Sequence, residues 1–557
     1  MDILFYSLLT NTLYYCSGRL FISNYNSKFN SQFYIYFKGI IIISFIALLL
    51  NFISKLSLTI NSIVYLSILF FFLVKCKLKF SKDELFFLLI STLITFVLII
   101  FSNVNRPDAG LYHLPYVSML NESKIIIGST NIHFRFGHTS IIQYLSAINN
   151  NFFFRDIGIL IPLASIVSFF YLYFFYDLWS AIKKRGDLSL GNIFSLFIVI
   201  YISYKISRYS SFGNDAVPHL TFFYLISYII SNRLKDLKIV KILLISAFIF
   251  VNKPTLVTVF LIPLTIFFIK ESLFSKRSIS IFFSLPSIIL FFWLLKNLLS
   301  SGCLIYPAKL TCFEKLPWTN KTEIINVDNS SQAWSRGWPD RKNTNITMSN
   351  FNKNFNWIEA WSSKHLKYIL KIIIPYVITL LLITIYVRRY KYSNNNNDRD
   401  LNTRIYLATA TCSLGTLFFF LVFPLYRYGY SYLISLIALI FILTLKNYKL
   451  KKNSKFLKFI FLATIIILAT KQFKRIYDNL GSDMLPNIYT LSEEKKMNEY
   501  KKIELSKNFT YFIPISGDYL CMYSKSPCTT YNIKGNIYHE RIWGYSILKL
   551  DLKNNFN

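Results

Sequence analysis

Glu84-Leu85-Phe86-Phe87-Leu88-Leu89-Ile90-Ser91-Thr92-Leu93-Ile94-Thr95-Phe96-Val97-Leu98-Ile99-Ile100-Phe101-Ser102 leads into Asn105-Arg106-Pro107-Asp108-Ala109-Gly110-Leu111-Tyr112-His113-Leu114-Pro115. The first run is apolar and, as a helix, long enough for a hydrocarbon layer of roughly 30 Å, which takes about 20 residues. The second restores charge at once, and Ile132-His133-Phe134-Arg135-Phe136-Gly137-His138 adds to it. Asp108 therefore falls where the chain leaves the apolar layer. A carboxylate at that depth is costly to hold, and with His and Arg around it reads as a functional group. A lone Asp at a helix exit also reads as a cap or loop residue.

Composition carries the same class over the whole chain. Hydrophobic residues make up 54% and charged residues 16%, the profile of an all-α polytopic membrane protein rather than a string of soluble domains. The apolar runs are too continuous for the alternating strands of a barrel, so the spans are helices. Lys and Arg number 61 against 27 Asp and Glu. In a membrane protein that excess belongs to cytoplasmic loops and anionic lipid, and no soluble basic module argues for nucleic acid as a partner.

Lys75, Lys77, Lys79 and Lys82 crowd one short loop, which the positive-inside rule assigns to the cytoplasm. The run from 84 to 102 then leads outward, and later basic loops alternate consistently. Spans are expected near 33–54, 57–74, 84–102, 153–180, 189–206, 216–231, 238–251, 255–269, 279–299, 366–387, 403–423, 430–445 and 456–471. With 3–21 as a retained first helix this makes about 13–14 spans. The expected organisation is a membrane domain, 1–471, with outer loops 103–152 and 300–365, and a small extracytoplasmic segment, 472–557. In the latter Tyr511-Phe512-Ile513-Pro514 reads as a strand and Gly517-Asp518 as a turn, so a small mixed α/β cap is expected.

Four polar groups from distant parts of the chain fall on the outer side. Asp108, His113, His133, Arg135 and His138 form the first; Arg208-Tyr209-Ser210-Ser211-Phe212-Gly213-Asn214-Asp215 the second, where Asp215 also suits a helix cap. Asn252-Lys253-Pro254 holds a cation at a span boundary, and Tyr426-Arg427-Tyr428-Gly429-Tyr430 sets a lone Arg among aromatics. Snorkelling alone would explain the last two. Together the four suggest a pocket of carboxylates and cations. Guanidinium and ammonium groups suit a phosphate on a lipid, while a carboxylate suits proton removal or a divalent metal. In the loop 300–365, Trp318, Trp334, Trp338, Trp357 and Trp361 read as sugar-stacking faces or as interfacial anchors. The amphipathic stretch Leu114 to Ile127 reads as a stretch that touches substrate or as one that lies on the membrane surface. Cys303 with Cys312, and Cys521 with Cys528, are close outer pairs suited to disulfides, whereas Cys16, Cys76 and Cys412 lie in or beside spans.

The string Asp108-x-x-x-Tyr112-His113-Leu114-Pro115, then Arg135-Phe136-Gly137, Asn214-Asp215, Lys296-Asn297 with Ser301-Gly302 and Tyr306-Pro307, and Gly517-Asp518-x-x-Cys521 with Pro527-Cys528-Thr529 resemble a family of bacterial multi-pass membrane proteins. That family is similar in turn to the GT-C superfamily of polyprenyl-phosphate-sugar-dependent glycosyltransferases. The resemblance implies a GT-C-like helical bundle in the bacterial inner membrane, with its site on the periplasmic side. It implies an inverting transfer to a glycan or lipid acceptor, with Asp108 as base or metal-associated carboxylate, Mg or Mn being the candidate ions. The superfamily's commonest pattern has two adjacent acids, whereas Ala109 follows Asp108, so His113 or Asp215 is left to supply the second catalytic group. Tyr112, Arg135, His138, Lys253, Arg427, Trp334 and Trp338 are the expected substrate-binding residues, with Lys253 and Arg427 at the donor phosphate. A transporter or flippase of lipid-linked glycans is the main competing expectation and predicts polar groups threaded through the middle of spans; a polymerase or ligase of surface polysaccharide is a second and differs little from the transferase in what it expects of the sequence.

Overall fold

The computed structural model describes residues 2–22, 29–76, 80–102, 108–183, 188–205, 213, 215–270, 279–281, 283–389, 398–448, 455–479, 499–516 and 519–550. The expectations for Asn105 to Pro107, Arg208 to Phe212, Asn214, the Asn-rich stretch 394–397, Gly517-Asp518 and parts of several basic loops lie outside the described residues.

Helix α1 (Asp2–Leu20) packs along α2 (Phe29–Ile53) and beside α3 (Leu58–Cys76) and α4 (Lys82–Ile99). Small residues let the first two backbones touch. A Cβ on Gly18 would lie 1.8 Å from the Ile35 carbonyl oxygen, and one on Gly39 1.8 Å from that of Tyr14. The first helix is therefore an integral part of the core, with Tyr14, Tyr15 and Cys16 buried. Helix α4 starts in a capping box, where Ser81 and Glu84 satisfy each other's backbone N–H groups. The Glu84 carboxylate also pairs with Arg19 at 3.0 Å, which ties α4 to the end of α1.

The chain continues through α5 (Leu114–Glu122), α6 (Ile141–Ile148), α7 (Ile161–Lys183), α8 (Leu190–Lys205), α9 (Ala216–Ser231), α10 (Ile239–Asn252), α11 (Leu261–Lys270) and α12 (Leu285–Ser301). Then follow α13 (Lys321–Ser335), α14 (Met348–Asn352), α15 (Ile358–Trp361), α16 (Lys367–Arg388), α17 (Arg399–Val422), α18 (Tyr426–Leu445) and α19 (Lys455–Asn479). A helix stands at each expected span. Among the described residues seven helical stretches are long and apolar enough to cross a membrane: Gln32–Ile53, Leu58–Cys76, Arg155–Lys183, Ile358–Arg388, Arg399–Val422, Tyr426–Leu445 and Lys455–Asn479. Leu190–Lys205, Ala216–Ser231, Ile239–Asn252, Pro254–Lys270 and Leu285–Ser301 are apolar but only 10–17 residues long. The last helix runs past the boundary expected at 471, to Asn479.

The two large loops and the C-terminal segment meet at one end of the bundle. Gly128 N–H donates to the Leu299 carbonyl at 2.8 Å, and Ile127 exchanges backbone bonds with Ser546 and Leu548 at 3.0 and 2.9 Å. Of the C-terminal segment, residues 472–479 continue the last helix and the described residues from 499 to 550 form two small strand pairs. Strand β1 (Tyr500–Ser506) pairs antiparallel with β2 (Phe509–Pro514), and β3 (Ile537–Ile542) with β4 (Tyr545–Leu550). Cys303–Cys312 and Cys521–Cys528 are disulfides.

Two local expectations change. Helix α5 does not lie on a membrane surface: Leu114 to Leu120 are all buried within the protein, beneath the C-terminal segment, whose Tyr523 hydroxyl bonds Asn121 at 3.1 Å. Trp357 and Trp361 are 2% and 7% exposed, packed on Phe420, with the Trp361 indole donating to the Pro424 carbonyl at 2.7 Å. Their faces are spent on fixing the loop to the α17–α18 turn.

Candidate functional site: a carboxylate between two arginines

Asp108 opens a π-type turn, Ala109–His113, but its side chain makes no capping bond. Such turns are frequent at functional positions. Its Oδ1 accepts from Arg135 Nη1 at 3.2 Å and its Oδ2 from Arg427 Nη1 at 3.2 Å. The cap reading is thus replaced by a carboxylate held on both oxygens. Arg135 sits in the tight turn Phe134–Gly137, with His133 Nδ1 accepting its backbone N–H at 3.2 Å. Its guanidinium lies 5.2 Å over the Tyr112 ring. Gly137 permits this turn, since a Cβ there would fall 2.2 Å from the Tyr306 ring.

Asp215 repeats the pattern. It stands at the N-cap position of α9 without a capping bond, and instead pairs with Lys253. Lys253 leaves the end of α10 just before Pro254, and its ammonium also donates to the Arg427 carbonyl at 2.8 Å. His219 Nε2 reaches the same carbonyl at 3.0 Å. The Arg427 backbone is therefore fixed from two sides, while its guanidinium faces Asp108 and the Tyr428 hydroxyl at 3.4 Å. Lys253 is only 7% exposed, but Asp108, Arg135, Asp215 and Arg427 are 40%, 33%, 43% and 46% exposed. The cluster is open to a ligand on one face.

Behind it lies a buried polar layer. Gln143 Oε1 accepts from the Ser140 backbone N–H at 2.8 Å, so its amide nitrogen faces His113 Nδ1 at 3.0 Å. That makes Nδ1 an acceptor and puts the His113 proton on Nε2. Burial lowers His113 to about 4, partly opposed by Asp108 and Asp215. Burial and Arg135 lower His133 to about 3 and His138 to about 4. All three rings are neutral near pH 7. Burial first, then Asp108, raises the Tyr112 hydroxyl well above its usual range. For Asp215, burial pulls upward but Lys253 and Arg427 outweigh it and hold the carboxyl below its ordinary value. Burial draws Lys253 down against the upward pull of Asp215.

Of the expected residues, Asp108, Tyr112, His113, Arg135, Asp215, Lys253 and Arg427 come together. His138 lies against the Tyr306 ring at 5.3 Å and within electrostatic reach of Arg135 and His113. Trp334 and Trp338 do not join them. Trp338 packs edge-on to Phe351 with Arg341 at 3.8 Å over its face, and Trp334 is 60% exposed. Gln143 was not anticipated at the site, Tyr428 was named only as an aromatic flanking Arg427, and Lys296 only within the family-like string. Lys296 is fully buried, donating to Thr139 and, at 3.2 Å, to Asn297 Oδ1. A cation inside an apolar run is the signal that marks it.

Among the described residues three fixed cations outnumber two carboxylates here, so the cluster favours an anion. A divalent metal fits poorly. Both Asp108 oxygens are taken by guanidinium groups, Asp215 by an ammonium, and among the described residues no group of three or more His, Cys, Asp or Glu forms a ligand set.

Fold and site define a helical protein with membrane-length apolar helices and an ion-pair cluster at the end where its loops and C-terminal segment converge. The chain belongs to the family described as domain of unknown function DUF8201, whose model matches residues 1–434. No curated protein and no solved structure matches it.

Proposed function

We propose that the protein is an integral membrane glycosyltransferase of GT-C type, moving a sugar from a polyprenyl-phosphate donor to an extracytoplasmic glycan or lipid acceptor. The observation that carries the reading is the Asp108 carboxylate held between Arg135 and Arg427, beside Lys253, at the loop end of an apolar bundle. The cluster joins a base to phosphate-binding cations at the depth where a lipid headgroup lies. It gathers at helix ends, as the transferase reading expects. In this proposal the bundle crosses the bacterial inner membrane about 13–14 times with the cluster on the periplasmic side.

Donor phosphate oxygens replace the Asp108 carboxylate on the two guanidinium groups, which releases Asp108 at the moment substrate arrives. The acceptor O–H then attacks the anomeric carbon while Asp108 takes its proton, and the bond from that carbon to the phosphate oxygen breaks. The lipid phosphate leaves with the electron pair, held by Arg427 and Arg135, and the anomeric configuration inverts. His113, neutral with its proton on Nε2, is a hydrogen-bond donor here and does not serve as a second base. Asp215 holds Lys253, and through it the Arg427 backbone. No step passes through Mg or Mn.

The test is sugar transfer by purified protein from a panel of polyprenyl-phosphate sugars, with Asp108→Asn in parallel. Loss of transfer in a folded variant supports the assignment. Specific binding of lipid-linked glycan without transfer from any donor would point to a carrier or flippase instead.

A further inference from the structure

The β3–β4 hairpin carries a residue that its own turn disfavours. Ile542 pairs with Tyr545, so Trp543 and Gly544 form a two-residue turn with φ of 49° and 76°. Two positive φ values define the I′ geometry, for which Asn-Gly is the preferred pair and a bulky first residue is an outlier. The Trp543 side chain is also 93% exposed. A large ring in a strained position, almost wholly exposed, calls for a role outside the fold.

The location of the turn says what it meets. Tyr545 Oη donates to the Phe52 carbonyl at 2.7 Å, and Ile125 N–H to the Asn51 carbonyl at 2.9 Å. The hairpin tip is thus level with the end of α2, a membrane-length helix whose last residue, Ile53, is 75% exposed. The helix that follows exposes Ile63, Leu66, Phe70 and Phe71 along its length. Basic groups ring the tip: Lys124 lies 3.7 Å over the Tyr545 ring, and Lys55 and Arg541 are exposed. An apolar, tryptophan-tipped projection with a basic rim, at the depth where an apolar helix ends, matches the interfacial layer of a bilayer.

We infer that Trp543 is a membrane anchor: the β3–β4 tip inserts its indole among lipid headgroups beside α2 and holds the C-terminal segment down over the loop end of the bundle. The inference rests on the bundle lying in a membrane and is independent of the transfer reaction. Trp543→Asn separates anchoring from folding, because Asn suits the I′ turn better than Trp does.

The full-length protein and this variant are reconstituted into phosphatidylethanolamine and phosphatidylglycerol vesicles, with and without brominated acyl chains, and the wild-type-minus-variant emission isolates Trp543. Anchoring predicts a blue-shifted difference spectrum that brominated lipid quenches and aqueous iodide does not. A red-shifted difference spectrum, quenched by iodide and untouched by brominated lipid, would overturn the inference. Trp543→Phe, which keeps an apolar ring, gives the same difference measurement should the Asn variant express poorly.

Discussion

Asp215→Asn isolates the electrostatic partner of a nearly buried cation. Lys253 is 7% exposed, and beyond Asp215 its ammonium donates to the Arg427 carbonyl. Asn keeps one acceptor oxygen, so the substitution removes charge more than geometry. A close pair attracts by about 4 kcal/mol at an effective dielectric near 20. Asp215 is itself 43% exposed, and solvent screening cuts the attraction to roughly half, about 2 kcal/mol. The expected result is a thermal midpoint lowered by a few degrees in detergent at neutral pH. The coupling is the sharper test: once Lys253→Met has removed the stranded cation, Asp215→Asn should cost far less. Unchanged stability in Asp215→Asn, or strictly additive losses in the double variant, would refute the reasoning.

Acid should destabilise the loop end. His113 sits at about 4 when folded against 6.5 when free, so the unfolded chain binds the extra proton. Stability is then full above about 6.5 and falls as pH drops toward 4, by about 3 kcal/mol for His113 alone. His133 and His138 act in the same direction, and Asp215, whose carboxyl is lowered, loses its contribution at still lower pH. Unfolding midpoints across pH 4 to 8 check this, with His113→Gln expected to flatten the profile. Gly18→Ala forces a methyl against the Ile35 carbonyl and should cost about 1–3 kcal/mol, read from the same midpoints; a neutral outcome would mean that α1 and α2 can move apart freely.

The sequence was most legible where one physical cause acts alone. Apolar run lengths located the helices because a helix must satisfy its own backbone in an apolar layer. Charged residues at their ends stood out for the same reason, so Asp108, Arg135, Asp215, Lys253 and Arg427 could be nominated together. Which of them pair could not be read: Arg427 lies 319 positions from Asp108, and only packing brings them together. The cap alternative for both carboxylates was a fair local reading until their partners were seen. The tryptophans were less legible because a sequence does not say which way a ring faces; Trp357 and Trp361 turn inward, and Trp338 stacks under Arg341. The β3–β4 hairpin was missed because Trp543-Gly544 is an unusual I′ turn, lacking the Asn-Gly signal. Lys296 passed as part of a family-like string, although its charge within an apolar helix marked it.

In the proposed transfer Asp108 removes the acceptor proton while Arg135 and Arg427 hold the donor phosphate. Transfer from polyprenyl-phosphate sugars should be lost in Asp108→Asn, in which Arg135 and Arg427 remain to bind the donor. Steady-state kinetics should therefore show a fall in kcat of at least about 100-fold with a donor KM that does not rise and is expected to fall, because the neutral amide no longer competes with phosphate for the two guanidinium groups. Transfer that survives Asp108→Asn at near wild-type kcat would contradict the account and move the base elsewhere.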